Sequence, residues 1–317
     1  MHSNKMKLTV LLLAFVFVPP VFLAAEGDDD KVGSVAFKFL NLHFDARGAA
    51  LGGLASQASG AEAVFWNPAG LASASGIGVT ANITQWIVDT QYMSAGVALP
   101  LAGGVVGVSF ISVDYGQLMK SGWAGDTEFI FEANQGAFSA SDAAMQLSYA
   151  KSLSDKFSVG GTVKSVTEKI DTETISGLGF DVGTQFNTGF NNIRLGAVIS
   201  NFGADVVPVE AESESDISLP MTFQFGITGQ AFGDESMGLV AGVNVTKMAD
   251  MAQRFAFNGE FSVAGMVKLR GSYTLGTDQA PITVGAGVNL MGISADLGMT
   301  LMTDFDPVMR ISIGAQF

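Results

Sequence analysis

An all-β membrane fold, a 14-stranded antiparallel transmembrane β-barrel with an N-terminal hatch or plug segment in the lumen, is what this sequence predicts. From Ile77 onward, apolar residues recur with period two in pieces of about ten residues, the mark of strands with one apolar face. Only 15% of the 317 residues are charged while 48% are hydrophobic. Ordinary soluble chains are about 25% charged, so fourteen strands here leave too little polar surface for a water-exposed sandwich. The connections also alternate between long and short, as in barrels with loops at one end and tight turns at the other.

The chain opens with Lys5 and Lys7, an apolar run from Leu8 to Val18, and Leu23-Ala24-Ala25 ahead of Glu26-Gly27-Asp28-Asp29-Asp30. That is the layout of a secretory signal peptide over 1–25. An uncleaved anchor helix is the alternative, which Pro19-Pro20 interrupts. Cleavage after Ala25 leaves 292 residues and moves the net charge from -14 to -16. The mature chain is then outside the cytoplasm.

Residues 26–76 form an N-terminal periplasmic or hatch segment. It does not alternate and is rich in small residues, with Gly48, Gly52, Gly53, Gly60 and Gly70 among many alanines. Several strand positions on the inward face are glycine too: Gly179, Gly183, Gly238, Gly242, Gly285, Gly287 and Gly298. A slim segment and a roomy lumen are compatible with a plug, and inward glycines also serve strand curvature.

The barrel is expected over 77–317, with strands at 77–86, 91–100, 104–113, 143–153, 157–170, 177–186, 192–201, 219–230, 237–247, 254–264, 266–275, 282–290, 292–301 and 308–317. In 254–264, Phe255, Phe257, Phe261 and Val263 oppose Arg254, Asn258, Glu260 and Ser262; in 266–275, Val267, Leu269, Tyr273 and Leu275 oppose Lys268, Arg270, Ser272 and Thr274. An even strand number brings both ends of the barrel to the periplasmic side, and ten residues at a tilt of ~40° span the apolar band. The external connections are then 87–90, 114–142, 171–176, 202–218, 248–253, 276–281 and 302–307. Inward charges such as Lys164, Asp181, Arg194, Arg254, Glu260, Lys268, Arg270, Asp296 and Arg310 form a lumenal network, and Trp86, Tyr92, Phe157 and Tyr273 fall where aromatic girdles meet headgroups. The last strand ends on Ile311, Ile313 and the terminal Phe317, like the C-terminal signal read by the barrel-assembly machinery.

Composition excludes several chemistries. The 16 Lys+Arg against 30 Asp+Glu oppose nucleic-acid binding, which needs a basic surface. Zero cysteines exclude disulfides, thiolate metal sites and a cysteine nucleophile. His2 and His43 are the only histidines, so no metal site, cofactor or enzymatic centre is expected.

Asp45-Ala46-Arg47-Gly48-Ala49-Ala50-Leu51-Gly52-Gly53, followed by Trp66-Asn67-Pro68-Ala69-Gly70-Leu71-Ala72, resembles the opening signature of the PorV/PorQ family, relatives of the FadL-type fatty-acid transporters. Gly136 to Asp142, Phe157 to Lys164 and Leu219 to Phe223 extend the resemblance over most of the mature chain. The resemblance implies a bacterial outer-membrane barrel with a hatch, in which Asn67-Pro68-Ala69 matches the hatch tripeptide of the fatty-acid transporters. In those relatives hydrophobic solutes enter from outside, displace the hatch and leave by a lateral gap. PorV members instead serve the type IX secretion system, receiving cargo proteins for surface attachment.

Two functions follow as expectations. The first is binding or transport of hydrophobic small molecules, with Leu118, Met119, Trp123, Phe129, Ile130, Phe131 and Phe138 of loop 114–142 as the candidate apolar contacts. The second is a surface-assembly component whose partners are a secretion channel and secreted cargo, with the acidic stretch Asp205 to Asp216 as an exposed surface. Outer-membrane lipid is the surrounding partner in either case.

Overall fold

The computed structural model describes residues 33–120, 122–124, 128–130, 136–206, 217–234 and 236–317. The expected signal segment lies outside the described residues. Sixteen strands follow in chain order: β1 Gly78–Gln85, β2 Gln91–Leu101, β3 Gly104–Met119, β4 Gly122–Ala124, β5 Glu128–Ile130, β6 Ala137–Ser152, β7 Phe157–Ile170, β8 Glu173–Asn187, β9 Arg194–Gly203, β10 Thr222–Gly233, β11 Met237–Met248, β12 Arg254–Val263, β13 Val267–Leu275, β14 Ile282–Leu290, β15 Ile293–Leu301 and β16 Val308–Gln316. All but β4 and β5 join one closed barrel of fourteen antiparallel strands, sealed where β1 pairs with β16 from Gly78↔Gln316 to Gln85↔Met309. The short β4–β5 hairpin stands apart in the connection between β3 and β6.

Period-two patterning becomes inside and outside. On β2, Tyr92, Ser94, Gly96 and Ala98 are buried while Met93, Ala95 and Leu99 are exposed. On β15 and β16, Leu297, Ile311 and Ile313 face out and Asp296, Arg310 and Ser312 face in. The wall therefore presents an apolar exterior around a polar lumen, the inverse of a water-soluble core and the arrangement lipid demands.

The mouth is uneven. β3 and β6 run for 16 residues each, whereas β13 to β16 have nine each. On the tall side, outward residues turn polar above Phe110 on β3 and above Leu178 on β8, at Ser112, Asp114, Ser176 and Thr174. These strands continue past the apolar band. This lengthening corrects two of the sequence-based loops. Residues 114–119 and 137–142 are strand, with Leu118 paired to Phe138 across β3 and β6, and 171–176 shrinks to a tight turn at Asp171 and Thr172, Asp171 having φ 54°. At this one connection the alternation of long and short fails. Conversely, the strand expected from 219 begins at Thr222. Pro220 has no N–H for the ladder, and Leu219 is buried among apolar side chains.

Turns at the opposite end are short. Ala102-Gly103 and Met291-Gly292 place both central residues at positive φ (57° and 71°; 52° and 82°), the twist-matching geometry of two-residue hairpins. Phe317 donates its N–H to the Ile77 carbonyl at 2.9 Å, so the chain's last residue is fixed beside the first strand.

Residues 33–77 run through the lumen. Val35 bridges to Ser218 in the β9–β10 connection, at the long-loop end. The segment then descends past the middle of β15 and β16, where the Ala46 N–H donates to Ser312 Oγ at 2.8 Å, and reaches the short-turn end before β1. Along the way come a 3-10 helix Lys38–Asn41, one α-helical turn α1 (Ala46–Ala50), and 3-10 helices Gly60–Phe65 and Pro68–Ser73. Of the inward glycines, Gly183, Gly285 and Gly298 face this segment, where a Cβ would strike Asn67, Ala50 and Ala46 respectively. At Gly238 and Gly242 a Cβ would meet only atoms of the neighbouring strand and turn, not the segment, so clearance and curvature each account for part of the glycine pattern.

Candidate functional site

The hatch motif builds an interlocked unit. Asp45 caps α1, accepting from the Gly48 N–H at 2.6 Å, and its other oxygen accepts from the indole N–H of Trp66. Gly48 is required because the Trp66 ring lies where its Cβ would be. Gly52 and Gly53 turn the chain at φ 62° and 123° against β12 and β11, and Asn244 donates to the carbonyls of Leu51 (3.3 Å) and Gly53 (2.8 Å).

Asn67 anchors the segment to β8 near the short-turn end. Fully buried, it donates to the Ala55 carbonyl at 2.7 Å and to the Thr184 carbonyl of β8 at 3.1 Å, while its Oδ1 accepts from the Ala69 N–H at 3.1 Å. Pro68 follows as the first residue of its helix, where its missing N–H costs nothing. Gly160 on β7 leaves room for the backbone of Pro68 and Ala69, and Gly70 sits against the Ala58 carbonyl.

At the short-turn end, Arg47 joins segment to wall. It pairs with Glu62 of the segment and with Glu260 of β12 at 3.5 Å, and Glu260 also accepts from Arg270 at 2.6 Å, which pairs in turn with Asp296. Burial opposes the charge on Arg47, but Glu62 and Glu260 more than offset it and raise its pKa; burial pushes the Glu62 carboxyl above its ordinary range, with Arg47 pulling it back. A cavity of about 520 Å³ adjoins this cluster, lined by Asp45, Arg47, Glu62, Glu260, Arg270 and Asp296 among others. Replacing Arg47 by Ala leaves Glu62 and Glu260 short of a cation in a partly enclosed site, a loss of about 1–3 kcal/mol. In this cysteine-free chain, a Ser59→Cys reporter is expected to react with maleimide at least about tenfold faster once R47A is added; an unchanged rate rejects Arg47 as the lower fastening.

The long-loop end is apolar and filled. Phe37, Phe39, Leu40 and Phe44 pack with Tyr92, Ile111, Val113, Ala144, Val166 and Leu219. Phe37 is 0% exposed, and Gly177 of β8 keeps clear the space its ring occupies. Phe37 itself adopts φ 52°, a left-handed conformation that is costly for a bulky residue. The conformation is held from three sides: its N–H donates to Glu168 at 3.1 Å, the Ala36 N–H donates to the Ser218 carbonyl at 3.1 Å, and Lys38 pairs with the buried Asp250.

Beneath this cluster is a polar layer. Lys164 pairs with Asp181 at 2.8 Å and donates to Asn201 at 2.7 Å, and the Asn201 N–H donates to Asp181 at 2.8 Å through the irregular pairing of β8 and β9. A gap of about 40 Å³ lies between them and Asn41, His43, Gln146 and Gln224. Burial first, then the charges of Arg310 and Arg254, lower the His43 pKa to about 3, so His43 stays neutral and carries no proton switch at physiological pH. Arg310 donates to the His43 carbonyl at 3.1 Å and to Thr300 at 2.8 Å, with Trp86 beneath it at 5.5 Å. Trp86 and Tyr92 accordingly face inward rather than into a headgroup girdle: the β1–β2 register places them on the lumenal face. Tyr273 is outward and half-exposed, and Phe157 packs on Phe186.

The loop residues singled out from sequence fall elsewhere. Leu118, Met119 and Phe138 sit on the protruding ends of β3 and β6 and are not among the buried apolar cluster. The side chains of Trp123, Phe129, Ile130 and Phe131, and the acidic residues 207–216, lie outside the described residues. Ile311, Ile313 and Phe317 all project outward. Sequence reading missed the apolar cluster, although its signal was present: Phe37, Phe39, Leu40, Leu42 and Phe44 are dense for a segment otherwise made of small residues. Among the described residues, no three His, Cys, Asp or Glu side chains converge as a metal site.

No protein-family model matches the chain, and no curated protein resembles it significantly. Solved structures do. The toluene transporter TbuX of Ralstonia pickettii aligns over 87% of this chain and 99% of its own, at 12% identity and TM-score 0.60. The monoaromatic hydrocarbon channel CymD aligns over 85% and 97%, at 12% identity and TM-score 0.57. A FadL homologue of Pseudomonas aeruginosa aligns over 87% and 99%, at 9% identity and TM-score 0.51. At such identities the likeness is one of fold, and the fold is the FadL-like barrel.

Proposed function

We propose that this chain is a bacterial outer-membrane barrel that binds hydrophobic small molecules at its long-loop, external mouth and admits them toward the periplasm. The observation that carries the reading is the apolar cluster at the mouth, whose wall comes from the barrel and whose filling comes from the N-terminal segment. A tethered filling can be exchanged for a free apolar solute of similar size, whereas side chains of the wall cannot leave. The plug below, fastened by Asn67 and Arg47, blocks a water-filled pore, so the protein serves solutes that bind rather than solutes that diffuse through. The solved barrels of this fold include a toluene transporter and a monoaromatic hydrocarbon channel, and the Lys164–Asp181 pair leaves that lumenal cation neutralised beside the site, which suits an uncharged ligand.

Membership in the PorV/PorQ family is the finer proposal. It draws support from the motif itself, since Asp45, Gly48, Trp66 and Asn67 each perform a distinct structural task. Service to a type IX secretion channel and its cargo is the second reading within that family, and export through a cleaved signal peptide with insertion by the barrel-assembly machinery belongs to both. Cells with and without the chain separate them. Faster accumulation of labelled toluene in cells that carry it supports solute uptake; equal accumulation, with the chain crosslinked in cells to a secreted protein, overturns uptake in favour of secretion.

A further inference from the structure

The rim at the short-turn end carries an apolar residue at every turn. Leu101 precedes the β2–β3 turn, Leu153 lies in β6–β7, Phe190 in β8–β9, Met266 in β12–β13 and Met291 in β14–β15, while Phe232 closes β10 before its turn. All are exposed, from 45% at Met266 to 93% at Met291. A soluble rim would use its turns to display polar side chains. Among the described turn residues here, charge is confined to two turns, at Asp155-Lys156 and at Asp234.

Two features decide what covers these side chains. The first is their distribution, which runs around the whole circumference: a protein partner would need an apolar patch on one side, and a ring calls for a medium that surrounds the barrel. The second is strand length. With nine residues each in β13 to β16, a rise of ~3.3 Å and a tilt of ~40° give a span of roughly 23 Å, about the height of the whole apolar band. Those strands have nothing to spare, so the turns that join them begin where the band ends.

We infer that the short turns form a lipid-anchoring collar, with Leu101, Leu153, Phe190, Phe232, Met266 and Met291 inserted into the inner-leaflet interface of the membrane. This rests on the proposed membrane setting and says where its lower boundary falls: at the turn tips, with no part of the barrel extending below except the two charged turns. The lower cavity beside Arg47 then opens at headgroup level.

The absence of cysteine makes a direct test possible. Single spin labels at Met291→Cys, Phe190→Cys and Asp155→Cys are placed in the full chain reconstituted into phosphatidylethanolamine–phosphatidylglycerol vesicles. Relaxation by oxygen, which partitions into lipid, is compared with relaxation by a water-soluble nickel chelate. The labels at 291 and 190 are expected to favour oxygen over nickel by at least about fivefold relative to the label at 155. Equal ratios at all three sites overturn the collar, as does protection of 291 from both reagents, which signals a protein contact. Toluene uptake measured on the same vesicles stands or falls separately, so loss of the transport reading is not confused with loss of the collar.

Discussion

Phe37→Ala combined with Phe39→Ala is expected to raise toluene binding by up to about two orders of magnitude. Both rings are essentially inaccessible, and both belong to the segment rather than the wall. Truncating a buried Phe costs about 3–5 kcal/mol, part of it the cavity left behind. Here that loss falls on the closed arrangement, because the displaced segment exposes its rings in either case. If the free site is populated only when the segment lifts, apparent affinity scales with that population, and about 3 kcal/mol corresponds to roughly a hundredfold. The vacated volume is also of the right kind, since apolar cavities on the order of 150 Å³ stay dry and accept benzene-sized guests. Retention of labelled toluene by the purified protein measures the effect, with the unboiled gel mobility of the barrel as the control for folding. An intact barrel that binds no more toluene than the parent would show that the mouth is simply a packed core.

The left-handed conformation of Phe37 sharpens this expectation. A bulky residue at φ 52° costs of order 1–3 kcal/mol relative to an extended one, so the closed segment is held against a local preference to relax. Release by a competing solute recovers that strain.

The barrel was legible in the sequence because lipid imposes a simple rule: every second residue of a crossing strand must be apolar. Phe255, Phe257 and Phe261 against Asn258, Glu260 and Ser262 show it without any knowledge of partners. The rule lapses above the membrane, which is why the protruding ends of β3, β6 and β8 read as loops; Ser112, Asp114, Ser139 and Ser141 are polar on the very face that is apolar lower down. It also misplaced Trp86 and Tyr92, since an aromatic residue near a strand end fits a girdle or a lumenal core equally well until register is known. The site was harder still. Contacts such as Asn67 with Thr184, or Phe37 with Gly177, join residues more than a hundred positions apart, and composition carries no record of which inward glycine faces which plug atom.

Asn67→Ala is expected to open the lumen to small hydrophilic solutes while leaving the barrel folded. The substitution removes three hydrogen bonds from a fully buried site: those to the Ala55 and Thr184 carbonyls and the one from the Ala69 N–H. Each buried group left unpaired costs about 1–3 kcal/mol; the Thr184 bond is the one that ties plug to β8, and the other two hold the plug backbone in shape around it. The strand ladder is untouched, since Thr184 keeps its place opposite Val159 and Ala197. Ion-conducting openings in planar bilayers, rare for the parent chain, should become frequent. The partner position tells whether this contact or general loosening is responsible. Gly183→Ala places a Cβ on Asn67 Oδ1, so alone it should also drive the plug off the wall and raise conductance. In the Asn67→Ala background that collision is gone, and adding Gly183→Ala should change conductance little. Non-additivity of this kind is the mark of two residues in direct contact. Full additivity of the two substitutions would instead mean that the plug is not held at Asn67.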